Sequence, residues 1–164
     1  MAHDHAGHTH EPLGLSGRSL TAGLRAAETR CEAHGQTLTP ARRRVLELLM
    51  QAGQPVKAYD LISAFSAQAG EVAKPPTVYR ALEFLEREGL AHRIESLSAY
   101  VACSGEPGAH AAAFLICDCC GRTVEVAAPV DAALRDLAKD AGYVLNTVTI
   151  EAHGRCAACP AESV

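Results

Sequence analysis

Two Cys-x-x-Cys pairs, Cys117/Cys120 and Cys156/Cys159, separated by 35 residues, restrict this chain more than any other feature of it. One such turn brings two thiolates within reach of a single ion, and two turns complete a closed, tetrahedral four-cysteine zinc site. A closed site leaves no coordination position for water, so the expected ion is structural. It would staple the end of the chain to a turn between two strands. Cys119 is a rival ligand, because Cys117-x-Cys119 is also a possible geometry. A thioredoxin-like redox pair is the competing class, although one active pair has no need of a second. With Cys31 and Cys103 the chain holds seven cysteines, which in an intracellular protein read as metal ligands or redox groups rather than disulfides.

The 164 residues suit one ordinary domain or two small ones. Hydrophobic residues make up 48% and aromatics 4%, without tryptophan, so any core is aliphatic and alanine-rich. No apolar run reaches the roughly 18–20 residues that span a bilayer, and the N-terminus lacks the basic start and apolar segment of a secretory signal. The expectation is a cytoplasmic protein with no membrane partner. The net charge of −4 at first opposes a nucleic-acid partner. Residues 1–95, however, hold 11 Lys/Arg against 11 Asp/Glu, and the deficit lies in residues 96–164, with 4 against 8. A neutral half can still gather positive charge on one face, so composition alone leaves DNA binding undecided.

Residues 1–14 carry His3, His5, His8 and His10 without apolar periodicity and read as a His-rich disordered tail, able to hold a metal weakly. Four helices follow by pattern. The first covers Ser16–His34. The second has Thr39 as N-cap, Pro40 in its first turn and Gly53 as its stop. The third covers Ala58–Gln68. The fourth follows Lys74-Pro75-Pro76, with Val78, Ala81, Leu82 and Leu85 as its apolar stripe. The period then changes to two: Ala91–Glu95 and Ala99–Cys103 flank Ser96-Leu97-Ser98 as a hairpin. Helices closed by a hairpin describe a winged helix-turn-helix domain over 15–103, and 104–109 reads as a hinge. In 110–164, strands are expected at Phe114–Cys117 and Arg122–Val126, a helix at Pro129–Ala141, and a strand at Tyr143–Glu151. The fold class is therefore α+β: an N-terminal winged helix-turn-helix domain and a small C-terminal α/β domain. The latter is too small to be comfortable alone, so a homodimer is expected.

Two further groups of residues invite chemistry. His92 opens the hairpin, Cys103 ends it, and His110 and Glu125 lie across the presumed break. Each alone has an ordinary reading as a surface or strand residue. Taken together, ligands on both sides of a hinge would let one ion fix the angle between domains. The segment Lys74-Pro75-Pro76-Thr77-Val78-Tyr79-Arg80 places Thr77, Tyr79 and Arg80 in the first turns of a helix. There a recognition helix meets base edges and Arg can bond guanine bidentately. Arg42, Arg43 and Arg44 would suit phosphate contacts, and a solvated helix face accounts for them equally well.

These residues together resemble the ferric-uptake-regulator family of metalloregulators. The stretch AKPPTVYRALEFLEREGLAHRIES is similar to that family's recognition helix and wing, and FLICDCCG, EAHGRC and the last CxxC are similar to its dimerisation domain. The likeness covers about residues 20–160. Iron-responsive members usually carry HHxH before the first CxxC, where this chain reads Gly108-Ala109-His110-Ala111-Ala112-Ala113. The pattern instead resembles the family's zinc-sensing branch. That likeness implies a zinc-responsive repressor that binds a pseudo-palindromic double-stranded DNA operator as a homodimer and controls zinc-uptake genes. It implies two zinc ions per subunit, one structural and one sensory on His92, Cys103, His110 and Glu125. Tyr59 and Arg80 would be its base-contacting pair; Lys74, at the entry to the helix that carries Arg80, is a further candidate DNA contact. Some zinc regulators carry an acidic residue four after this tyrosine to pair neighbouring dimers on DNA; here Ser63 stands there, so that route is not expected. Iron, manganese, nickel and peroxide sensing are the alternatives within the family. A zinc deaminase would need His-x-Glu ahead of Pro-Cys-x-x-Cys, and neither pattern occurs.

Overall fold

The computed structural model describes residues 14–69, 74–103, 112–127, 131–145 and 148–159, which fall into an N-terminal and a C-terminal unit. Most of the expected tail, the expected hinge and His110 lie outside the described residues.

The N-terminal unit begins with α1 (Gly17–Ala33), whose Leu20, Leu24, Ala27 and Cys31 recur at three- and four-residue intervals and are all buried. Cys31 is fully enclosed in this core, and burial raises its thiol above the ordinary range. Its role is packing. Helix α2 (Pro40–Ala52) starts after Thr39, whose carbonyl rather than side chain accepts the Arg43 N–H at 2.8 Å. Gly53 ends it at φ +58, donating to the Leu49 carbonyl, a left-handed position that a Cβ would strain. Strand β1 (Val56–Lys57), helix α3 (Ala58–Ala69) and helix α4 (Pro75–Arg87) follow. The expected stripe of α4 is buried, joined by Phe84.

Strands β2 (Ala91–Ile94) and β3 (Ala99–Ala102) form the wing, with Ala91 opposite Ala102 and Ile94 opposite Ala99. The residues from Glu95 turn the chain, with Ser98 N–H donating to the Glu95 carbonyl at 3.1 Å. Two-residue β1 pairs with the outer side of β3, Val56 opposite Tyr100. No periodicity can develop over so short a strand, which is why the pattern reading missed it.

The C-terminal unit comprises β4 (Ala112–Cys117), β5 (Thr123–Ala127), α5 (Asp131–Asp140) and β6 (Thr149–Gly154), with strand order β5-β4-β6. β4 and β5 are antiparallel, whereas β4 and β6 run parallel, from Ala112 opposite Thr149 to Cys117 opposite Gly154. The last strand thus differs from the expected Tyr143–Glu151. It starts at Thr149 because parallel pairing begins where β4 begins. Tyr143–Leu145 instead belong to the crossover that a parallel return requires. Tyr143 and Val144 are exposed there despite their β-forming character.

The N-terminal unit is held by one cluster in which Val45, Leu46, Leu49, Val78 and Leu85 are fully buried. Leu49→Ala is expected to lower its stability by about 2–5 kcal/mol, seen as an earlier urea midpoint of the helical circular-dichroism signal.

Candidate metal centre and nucleic-acid interface

The turn after β4 and the segment after β6 meet because β4 and β6 are parallel neighbours ending together. Cys117 N–H donates to the Arg122 carbonyl at 2.9 Å, and Gly121 N–H to the Cys117 carbonyl at 2.9 Å, closing a tight loop that carries Asp118, Cys119 and Cys120. Asp118 N–H reaches the Gly154 carbonyl at 2.8 Å, which fastens that loop to the end of β6. Cys156 and Cys159 then follow in a second turn, Cys159 N–H donating to the Cys156 carbonyl at 3.0 Å.

The four Sγ atoms of Cys117, Cys120, Cys156 and Cys159 all lie within 4.8 Å of one another. The Cys117–Cys159, Cys120–Cys156 and Cys156–Cys159 separations are 3.8, 3.7 and 3.5 Å. A tetrahedron of thiolates at the usual Zn–S distance of about 2.3 Å has an edge of about 3.8 Å, so the donors fit one zinc. Cys119, the rival ligand, stands outside this group. The backbone N–H of Cys156, 3.3 Å from the Cys117 sulfur, and then that of Cys120 lower the Cys117 thiol to about 6. Burial, followed by the neighbouring thiols, pushes Cys159 upward. Without a cation, sulfurs this close cannot all ionise, because like charges raise one another. Beside them His153 Nδ1 lies 2.9 Å from Asp118 Oδ1, a pair joining the end of β6 to the first turn that no sequence pattern announced.

The wing holds a second pair of donors. Cys103 follows β3 and donates its N–H to the Leu90 carbonyl at 3.0 Å, which sets it diagonally across from His92 on β2. The ligand atoms of these two residues lie within 4.8 Å of each other, and both side chains are half-buried. Glu125 sits half-buried on β5 opposite Phe114 in the C-terminal unit. His110 is outside the described residues.

Among the candidate DNA contacts, Lys74 is the N-cap of α4, with Pro75 and Pro76 opening the helix. Thr77, Tyr79 and Arg80 are exposed in its first turns, Tyr79 by 46%. Arg80 makes no hydrogen bond or ion pair among the described residues. Tyr59 opens α3 and is 76% exposed. Exposed tyrosines on α3 and α4, the second adjacent in sequence to the exposed Arg80, suit a macromolecular partner, since their rings offer large area at little entropic cost. The three arginines of α2 are all engaged within the unit. Arg42 donates to the Thr37 carbonyl at 2.7 Å, Arg43 pairs with Glu28 at 2.9 Å, and Arg44 pairs with Glu47 at 2.9 Å. Pattern reading could not see the partners of Arg42 and Arg43, which come from outside α2.

Residues 33–153 match the model of the ferric uptake regulator family, and the chain belongs to that family. It is 42% identical over 138 residues to the zinc uptake regulation protein of Escherichia coli K12, covering 83% of this chain and 80% of that protein. Among solved structures it is similar to a zinc uptake regulator complexed with zinc and DNA, with a TM-score of 0.80, 39% identity, and 87% and 96% of the two chains covered. A second similar structure is that of holo XcZur, with a TM-score of 0.73, 43% identity and coverage of 83% and 95%.

If the four clustered cysteines hold a structural ion, Cys156→Ser loses one zinc per chain and unfastens the last turn, since binding energy at such sites is folding energy. Cys119→Ser keeps its zinc. Elemental analysis of the two purified variants checks both, and zinc loss from Cys119→Ser beside retention in Cys120→Ser would reverse the ligand assignment.

Proposed function

We propose that this chain is a zinc-responsive transcriptional repressor that binds double-stranded operator DNA as a homodimer in the cytoplasm and restrains zinc-uptake genes. The observation that carries the reading is the His92/Cys103 donor pair in the wing. It sits in the same small unit as the exposed Tyr59, Tyr79 and Arg80, in a chain 39% identical to a zinc uptake regulator complexed with zinc and DNA. The relatives are regulators and not enzymes, and so is this chain.

Two zinc ions per subunit divide the work. The structural ion takes Cys117, Cys120, Cys156 and Cys159. The sensory ion takes His92 and Cys103 from the wing and His110 and Glu125 from the chain beyond it. One thiolate, two imidazoles and one carboxylate form a borderline donor set that suits tetrahedral zinc better than manganese. An ion held from both sides of the hinge biases the placement of the reading head. A coupling on the order of 1–3 kcal/mol per site is enough to separate bound from released operator.

The C-terminal unit supplies the dimer surface in this reading. Leu115 and Val124 are direct neighbours across β4 and β5, and both are exposed. Leu134 and Leu137 are exposed on α5 and border a shallow groove of about 400 Å³ whose other side is Leu145 and Val148. Apolar surface of this extent on a small unit favours burial against a second copy. On DNA, Arg80 and Tyr59 read bases, and Lys74, Thr77 and Tyr79 supply further contacts. Arg43 and Arg44 reach phosphate only by exchanging a carboxylate partner for it.

Cys103→Ser tests the sensory site, because it leaves the four clustered cysteines untouched. The variant should stay folded and dimeric, lose one zinc per chain, and lose zinc-dependent operator binding. A Cys103→Ser protein that responds to zinc like the parent would refute this site, and a parent that responds to ferrous iron or manganese but not zinc would refute zinc sensing. Arg80→Ala should cost about 1–3 kcal/mol and relax preference at one base. Binding titrations against single-base operator variants measure it.

A further inference from the structure

The C-terminal half of α4 is tied down by side-chain polar contacts, whereas among the described residues Thr77, Tyr79 and Arg80 at its N-terminal end make no side-chain hydrogen bond or ion pair. Phe84, four residues after Arg80 and so about one turn along α4, is 2% exposed. The guanidinium carbon of Arg42 lies 3.6 Å from the centre of its ring, and that of Arg87 lies 5.3 Å away. Arg42 belongs to α2, and its Nη1 simultaneously donates to the Thr37 carbonyl at 2.7 Å. One residue beyond the helix, Glu88 is 7% exposed and sits 3.1 Å from Nδ1 of His34, the C-cap of α1. Helix α2 and the end of α1 therefore grip the far end of α4, while Thr77, Tyr79 and Arg80 are exposed at the near end.

We propose that Arg42 is a positioning residue for DNA reading, holding α4 in the orientation that presents Arg80, and not a phosphate contact. The inference rests on the DNA-binding reading given above. The face of the Arg42 guanidinium is taken by the Phe84 ring and one of its edges by the Thr37 carbonyl, so its planar, forked geometry is used inside the unit. A lysine could not stack and bond in this way at once. Bidentate reading of a base edge demands placement within about 0.5 Å. Loosening the grip on Phe84 lets the Arg80 end shift by more than that, without removing any group that touches DNA.

Positioning and phosphate contact make opposite demands on Arg42→Lys. A phosphate contact is kept, because the charge is kept; a stacked clamp is lost. The test uses zinc-loaded full-length protein, a duplex selected from a randomised pool by the wild-type protein, and a scrambled duplex of equal length. Arg42→Lys and Arg42→Met should each weaken the selected duplex by roughly three- to thirtyfold, the span of a desolvated cation–π contact. Their binding to the scrambled duplex, and the slope of log K against log salt, should stay at wild-type values. Phe84→Leu, which leaves Arg42 in place, should copy the loss. Circular dichroism keeps the comparison to folded proteins, and should Arg42→Met fail to fold, Arg42→Lys and Phe84→Leu decide the question. Wild-type affinity in Arg42→Lys would overturn the proposal. So would a salt slope in Arg42→Met shallower by about 0.9, the value of one phosphate contact. If the wild-type protein selects no duplex at all, it is the DNA-binding reading that fails.

Discussion

Four sulfur atoms within 4.8 Å of one another are the constraint on which the C-terminal unit depends. Among the described residues of that unit few side chains are buried: Phe114 and Ile116 on β4, Thr123 on β5, Val148 before β6 and a handful of small residues around them. Such a core is thin for independent stability. The parallel register that ends with Cys117 opposite Gly154 brings two turns together at one end of the sheet. An ion there would cross-link the turn after β4 to the turn that carries Cys156 and Cys159, and would relieve the mutual repulsion that four thiolates otherwise meet. With an ion bound there, folding of this unit and metal binding would be one equilibrium.

The N-terminal unit is built on another principle. Its core of Leu24, Val45, Leu46, Leu49, Leu82 and Leu85 is aliphatic and closed without metal, so the internal geometry of the reading surface does not wait on an ion. In the proposed mechanism the sensory zinc acts only on where that surface is held, through donors at the root of the wing. In that mechanism the separation would let zinc scarcity release the operator while both units remain folded. It would also account for two different ligand sets in the proposed reading: four thiolates for a closed, retained ion, and a mixed set for an exchangeable one.

Much of this was legible in the residues. Proline and glycine at helix ends, and apolar stripes such as Val78, Ala81, Leu82 and Leu85, carry local information that the structure follows within a residue or two. The Cys-x-x-Cys pairs were legible because a turn fixes the separation of its own cysteines whatever the rest of the fold does. Spacing left Cys119 open as a ligand, and the geometry favours Cys120. What pattern could not supply depends on distant chain. β1 exists only because β3 offers it an edge. The start of β6 is set by where β4 begins, so Tyr143 and Val144 remained outside the sheet. The arginine run at the start of α2 read as solvent-facing, yet its members meet Phe84, Glu28 and Glu47.

The most direct test of zinc gating is a titration of wild-type protein against its selected duplex across buffered free-zinc concentrations, with zinc content measured at each point. A zinc-gated repressor keeps one tightly held zinc per chain throughout and gains DNA affinity as it takes up a second. DNA affinity that is independent of free zinc, or that rises while zinc content stays at one per chain, would contradict the mechanism.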